Sequence, residues 1–430
     1  MGSDAVVARG RATVDGQTLF GQNLHGSNQF SPRICLKPGR DFVPGELSGT
    51  PEVDVPQVRR TQTVFGLQAH NSCGYRAGLN AAKVAAGCLP LEVRLRGVQP
   101  GLTGPDLIRL VLERSRSACQ AVEVLVGLID RYGQGGMANE AGMAGCDHAF
   151  LIADPLESIL VETAGKHWVV QEIGEVRALA SVRTIRQDWD KISHELADYM
   201  IHKGAWPSDG SKIDFVGAIG DAPEQHPQAF NRWGRAMLLL QEQNGHIDAG
   251  ILRRFMRDHG EGMEGAWMPL LDQVSTGACR HAGMLSGGAT QACFVTCLGQ
   301  ELHTPPIAWV AFGPPCQSVF FPVTLTGRLP DALTCSGPES LMEQLRMLQQ
   351  MTADKPETWP DMRDAFDRLQ ADFDQSTEEF ASIAARAPAD TDMLAREGHS
   401  LMEQCVTRFE ATIAQAFEQG APTLAFAPGR

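Results

Sequence analysis

The sequence predicts a layered α+β fold, because its periodicity runs as strands, then helices, then strands, and not as a regular alternation of one with the other. Two observations support this. The early strand-like runs are short and bounded by turn residues, and from Gly337 onward nearly everything is helical in pattern.

AVVARGRATVDGQTLFGQN reads as two short strands about Asp15-Gly16, a dipeptide that favours the positive backbone angles of a tight hairpin turn. From about Arg33 to Pro56, Pro, Gly and Asp recur without periodicity, as in a long connecting loop, before TQTVFGLQA resumes strand-like alternation. Leu107, Leu110 and Val111, then Val122, Leu125 and Ile129, fall at helical spacing, so two helices are expected, the first starting near Pro105 and the second ending at Gly133. HAFLIADPLESILVETAGKHWVVQEI predicts a hairpin with Asp154-Pro155 in its turn, and VRALASVRTI another strand. Residues 191–260 are mostly helical in pattern, after which QACFVTCLG, PIAWVAFG and SVFFPVTL read as strands. The last segments place Leu, Met and Phe at three- and four-residue intervals between Pro356, Pro360 and Pro388. These amphipathic helices are expected to close the main core, or else to serve as a dimerisation or partner-binding hairpin, with a homo-oligomer expected, and they divide the chain into a domain over 1–330 and an acidic extension over 331–430.

Composition narrows the function. With 430 residues, 43% hydrophobic and 20% charged, the chain can bury one large core with an appendage, or two ordinary domains. Its 37 basic and 51 acidic residues give a net charge of -14, which opposes nucleic-acid binding and attraction to an anionic membrane. Small molecules, peptides and proteins remain as partners. No uninterrupted run of about 18 apolar residues occurs, and the opening lacks a basic stretch followed by an apolar core, so a cytoplasmic protein is expected. A myristoylation pattern fails at Val6. The eleven cysteines include no C-x-x-C, only Cys293 and Cys297 being close, and read as thiols of a reducing compartment. The twelve histidines are scattered and suggest no ligand cluster, so neither a metal nor a cofactor is expected.

SDAVVARGRATVDGQTLFGQN, LERSRSACQAVEVLVGLIDRYGQGG and FLIADPLESILVETAGKHW occur in that order, followed by MEGAWM and by IAWVAFGPP with SVFFPV. Together they resemble the secernin family and its bacterial dipeptidase relatives over residues 3–325. In that family the chain begins Cys-Asp-Thr and reaches a Phe-Gly-Lys-Asn-Ser-Asp motif. The resemblance implies the four-layer αββα sandwich of N-terminal-nucleophile hydrolases, with the C-terminal helices as an extension, and hydrolysis of a small peptide or acylated amine.

In such enzymes the first residue of the processed chain supplies a thiol or hydroxyl, and its own α-amine, with a pKa of about 8, takes the proton. The resemblance puts Ser3 in the nucleophile's place, followed by the matching Asp4. Removal of Met1 alone would expose Gly2, so catalysis by Ser3 requires loss of Gly2 as well. Gly21-Gln22-Asn23-Leu24-His25 keeps Asn23 as a substrate- or oxyanion-binding residue and sets His25 where the family has an acid. His25 is then an alternative base for Ser3, because a neutral imidazole titrates in the right range. Lys83 falls near the family's oxyanion-binding amide, and His148 where a substrate-holding Asn would lie. Asp147 and His148, as strand neighbours, point to opposite faces and form no dyad. Arg280-His281 is a further polar pair of unspecific spacing. With nucleophile, acid and both amide donors altered, two other readings stand: a non-catalytic binding or scaffold protein, and catalysis moved to His25, Lys83 or His148.

Overall fold

The computed structural model describes residues 2–26, 32–68, 72–95, 101–135, 147–222, 225–260, 277–281, 288–301, 304–335, 337 and 340–420. Met1, Gly136, Cys146 and the MEGAWM segment at 263–268 lie outside the described residues.

β1 (Gly2–Ala8) and β2 (Thr18–Gly26) form the opening hairpin. Their connection is longer than the tight turn expected: Ala8 pairs with Leu19, and a 3-10 turn at Gly10–Ala12 comes before Gly16, whose φ is 76°. β3 (Arg33–Lys37) falls in the stretch read as a loop. It is an edge strand, bonded on one side only, to β4 (Val64–Gln68), and its five residues are too few to stand out from the surrounding Pro and Gly. β5 (Tyr75–Asn80) and β6 (Ala85–Leu91) complete a meander before α1 (Gly104–Arg114) and α2 (Ala118–Tyr132). Thr103 and Asp106 form a reciprocal capping box with Pro105 in the first turn of α1, Ser117 caps α2, and Gly133 at φ 70° ends it.

β7 (Asp147–Ala153), β8 (Ser158–Ala164) and β9 (His167–Glu172) follow, and the Asp154 carboxylate accepts from the Leu156 and Glu157 amides in the expected turn. Then come β10 (Val176–Leu179), β11 (Lys191–Ile192), α3 (Leu196–His202), α4 (Phe215–Ala218), α5 (Pro227–Glu242) and α6 (Ala249–Met256). β12 (Ala289–Leu298), β13 (Ile307–Phe312) and β14 (Phe321–Thr324) precede α7 (Asp331–Thr334), α8 (Leu341–Asp354), α9 (Trp359–Arg386) and α10 (Thr391–Gly420).

Two antiparallel sheets result. Sheet I runs β10-β1-β2-β12-β13-β14, and sheet II runs β11-β9-β8-β7-β6-β5-β4-β3. Alternation assigns the faces: Ala5, Val7, Phe20 and Phe294 of sheet I meet Phe65, Leu79 and Leu151 of sheet II, while Val6, Ala8 and Val295 pack on Leu252 and Met256 of α6. On the far side of sheet II, Phe150, Ile152 and Val161 pack on Leu107, Val111 and Leu125 of α1 and α2. The layers are therefore helix, sheet, sheet, helix, which is the αββα sandwich, and the central strands β1, β2, β7 and β8 are buried on both faces. The Phe65 and Phe294 rings, one from each sheet, stack at 5.9 Å.

Between the sheets the Gln22 carboxamide crosses to donate to the Cys88 carbonyl at 3.1 Å, directly over Gly87. A Cβ on Gly87 would lie 1.7 Å from Gln22 Oε1. Gly87→Ala is expected to push Gln22 off this bond and cost about 1–3 kcal/mol, read as a lowered midpoint in urea unfolding.

α9 and α10 cover the sheet I edge. The Phe321 ring of β14 meets Phe373 at 5.6 Å and Phe409 at 5.0 Å, and these rings belong to the same core as the inter-sheet residues. Among the described residues no helix is long and apolar enough to cross a membrane.

Candidate functional site

Ser3 shares its face with Ala5 and Val7, so its side chain points between the sheets, and it is wholly buried. Arg76 reaches it from β5 across the gap: Nη2 donates to Ser3 Oγ at 2.7 Å and to the Gly2 carbonyl at 2.9 Å. The Ser3 hydroxyl donates to the same carbonyl at 2.8 Å. Ser181 clamps the backbone: its Oγ accepts from the Ser3 amide at 2.9 Å and donates to the Ser3 carbonyl at 3.0 Å. Ser181 holds a φ of 50°, a left-handed conformation that a serine keeps only where its surroundings impose it.

Those surroundings are a buried polar network. Arg183 donates to Asp147 and to Asp221, each at 2.6 Å, and to the Thr163 carbonyl at 2.7 Å. Glu162 accepts from the Thr184 amide at 2.7 Å and the Ile185 amide at 3.0 Å. The strand that leaves sheet II to pair with β1 as β10 is thus fastened back to sheet II just beyond Ser181. Burial raises the Asp147 and Glu162 carboxyls above their ordinary range, against the pull of their donors.

Asp4 and His25 lie on the other face. Register pairs Ser3 with Leu24 and Gly2 with His25, and both Asp4 and His25 point toward the helices outside sheet I. The expected role of His25 as a base for Ser3 is therefore corrected: one β-strand step separates their faces. His25 Nε2 lies 2.8 Å from Asp4 Oδ2, the Thr290 hydroxyl lies 3.1 Å from Nδ1, and Arg232 donates to both Asp4 oxygens at 3.2 and 3.0 Å. Burial would raise Asp4, but Arg232 and His25 hold it below the usual carboxylate range. Burial lowers His25 to about 4, with Asp4 opposing.

Between its ordinary 6.5 and about 4, His25 takes a proton in the unfolded chain and not in the folded one. Stability is thus expected to fall by about 3 kcal/mol as pH drops through that window, and His25→Gln to flatten the slope, as measured by urea unfolding at several pH values.

The other expected site residues do not join Ser3. Asn23 also faces outward, and its Nδ2 donates to the Met256 and Ala278 carbonyls, each at 2.8 Å. Lys83 stands in the β5–β6 turn at the opposite end of the sandwich, donating to the Gly299 carbonyl at 3.0 Å and to that of Glu301, and burial lowers its pKa. His148 packs on the α1 side of sheet II, where a Cβ on Gly104 would lie 2.3 Å from its Nε2, and its ring sits 5.6 Å from that of Phe150. Arg76, Ser181 and Arg232 were not anticipated. A signal existed for Arg76, the one charged residue in the strand YRAGLN.

The expectation that no histidines cluster as ligands is also corrected. His259, Cys279, His281 and Cys316 bring their ligand atoms within 4.8 Å of one another. A cavity of about 310 Å³ between Arg33, Phe312 and Leu341 lies on the Ser3 side of the sandwich but is not lined by Ser3.

No sequence-family model matches the chain. Among solved structures, a cysteine-to-alanine mutant of the conjugated bile acid hydrolase from Clostridium perfringens is 16% identical, with a TM-score of 0.42, over 73% of this chain and 89% of that one. An arginine-to-leucine variant of the same hydrolase gives 15% identity and a TM-score of 0.41, over 72% and 89%. The Caenorhabditis elegans ortholog of N-acylethanolamine-hydrolyzing acid amidase gives 12% identity and a TM-score of 0.34, over 69% and 94%. At such identities the chemistry of this chain rests on its own residues.

Proposed function

We propose that this chain is an amide-bond hydrolase with Ser3 as its nucleophile, latent until Met1 and Gly2 are removed, and that it acts on dipeptides or other small acylated amines, as the resemblance to secernin-like dipeptidases suggests. The observation that carries this reading is the guanidinium of Arg76, 2.7 Å from Ser3 Oγ at the head of β1. A buried cation there favours the alkoxide and the oxyanion that forms on attack. Once Gly2 is gone, the Ser3 nitrogen becomes an amine within reach of Ser181 and can take the proton from its own hydroxyl. Oγ then attacks the substrate carbonyl, the proton passes to the departing amine, and water, deprotonated by the α-amine, cleaves the acyl ester and restores Ser3.

The second reading is a binding protein that keeps the sandwich without the chemistry. It is favoured by the Ser3 nitrogen being a peptide donor to Ser181, with no lone pair to accept a proton. Intact-mass measurement paired with amine release from N-acyl amino acids and dipeptides separates the two. Hydrolysis is expected only from chains that begin at Ser3. Full activity with Gly2 retained would remove the Ser3 mechanism, and a chain begun at Ser3 by cleavage of a fusion that turns over none of the panel would leave the binding protein.

A further inference from the structure

Three separate stretches of chain bring soft ligands to one point on the helix side of sheet I. His259 follows the end of α6, Cys279 and His281 lie ahead of β12, and Cys316 sits in the 3-10 turn Pro315–Gln317 between β13 and β14. His281 Nε2 is central: it lies 3.1 Å from His259 Nε2, 3.2 Å from Cys316 Sγ and 3.7 Å from Cys279 Sγ. Both cysteines are buried. Tetrahedral zinc with N and S ligands requires ligand atoms roughly 3.3 Å apart for two nitrogens and roughly 3.5–3.8 Å apart where sulfur is involved. We propose that His259, Cys279, His281 and Cys316 bind one zinc ion as a closed, structural site.

The ligand-bearing segments are fastened to one another. The Cys279 amide donates to the Asp258 carbonyl at 2.9 Å, and Gly277 passes so close that a Cβ there would lie 2.2 Å from that oxygen. Asn23, wholly buried, bonds the carbonyls of Met256 and Ala278 and so ties the His259 and Cys279 segments together from β2. Arg257 donates to the Pro315 carbonyl at 2.9 Å, and Arg363 to that of Cys316 at 2.7 Å, which fixes the third segment. Asn23 is a positioning residue for this cluster. Four protein ligands leave no open position for substrate, so the ion's part is to hold the fold.

The balance of charge suits a buried place. Zinc binding releases the two thiol protons to solvent, and two thiolates with two neutral imidazoles leave the site without net charge. Arg280, between two ligands, has its amide bonded to the Thr290 hydroxyl at 2.9 Å, and its Nη1 lies 3.6 Å from where a Cβ on Gly2 would stand. The ion thereby sets the wall beside the start of β1. Zinc binding does not depend on whether Ser3 is a nucleophile.

The test uses the full chain purified without chelator. About one zinc per chain is expected by elemental analysis, and cobalt exchanged into the site should give the ligand-field bands of a tetrahedral ion with thiolate charge transfer. The double variant Cys279→Ser, Cys316→Ser should bind zinc at least about 100-fold more weakly, and Asn23→Ala about 10-fold more weakly. Replacing the exposed Cys73, Cys119 and Cys335 by Ser should change nothing. If the double variant does not fold, the wild-type chain decides: its Tm should fall by several degrees on chelation and return with added zinc. A protein that carries no stoichiometric zinc and gives no tetrahedral cobalt spectrum would show a hydrogen-bonded thiol and imidazole cluster instead, and overturn the site. So would retention of the ion by the double variant.

Discussion

A chain carrying Ser3→Ala and beginning at residue 3 is expected to fold and to lose amide hydrolysis by about ten-thousand-fold or more, since the hydroxyl that forms the acyl ester is gone. Ser3→Cys should keep activity, because a thiol beside the same amine and the same Arg76 is also a competent nucleophile. Arg76→Met should cost about 100–1,000-fold in kcat and little in KM, since the guanidinium acts on charge that develops only on attack. Steady-state kinetics on N-acyl amino acids measure all three. An unchanged rate in the alanine variant would dismiss Ser3, whatever the state of the N-terminus.

Arg183→Met carries the largest expected effect on stability, about 3–5 kcal/mol in urea unfolding. Arg183 is 1% exposed and pairs with Asp147 and Asp221 together. Asp221 would keep Arg94, at 2.8 Å, but Asp147 would stay buried with amide donors alone and would meet the cost of its charge by taking up a proton. Adding Asp147→Asn to Arg183→Met should recover part of the loss, because it removes the uncompensated carboxylate. A single-variant cost under about 1 kcal/mol would mean that the pair contributes no more than a surface salt bridge does. The variant should also slow hydrolysis, because Arg183 anchors the segment that presents Ser181 to Ser3.

Much of the fold was legible because its signals are local. Thr103 with Asp106, Ser117 and Gly133 mark helix ends within one turn, and the Asp154-Pro155 turn closes on its own amides. β3 escaped because an edge strand of five residues has too little alternation to register. The candidate site was only partly legible. The resemblance led to Ser3 and, by its motif positions, to His25, Asn23 and His148, but strand parity turned these three to other layers.

What the amino-acid sequence determined by itself is the layered architecture, with most of its strands, helix caps and turns placed by local signals. The tertiary structure alone decided which polar groups meet. Arg76 finds Ser3 across 73 positions of chain, and His259, Cys279, His281 and Cys316 converge from intervals that match no metal motif. The reason is physical: periodicity and capping report interactions within a turn or two, whereas register and sheet packing fix contacts between distant segments that leave no spacing to read.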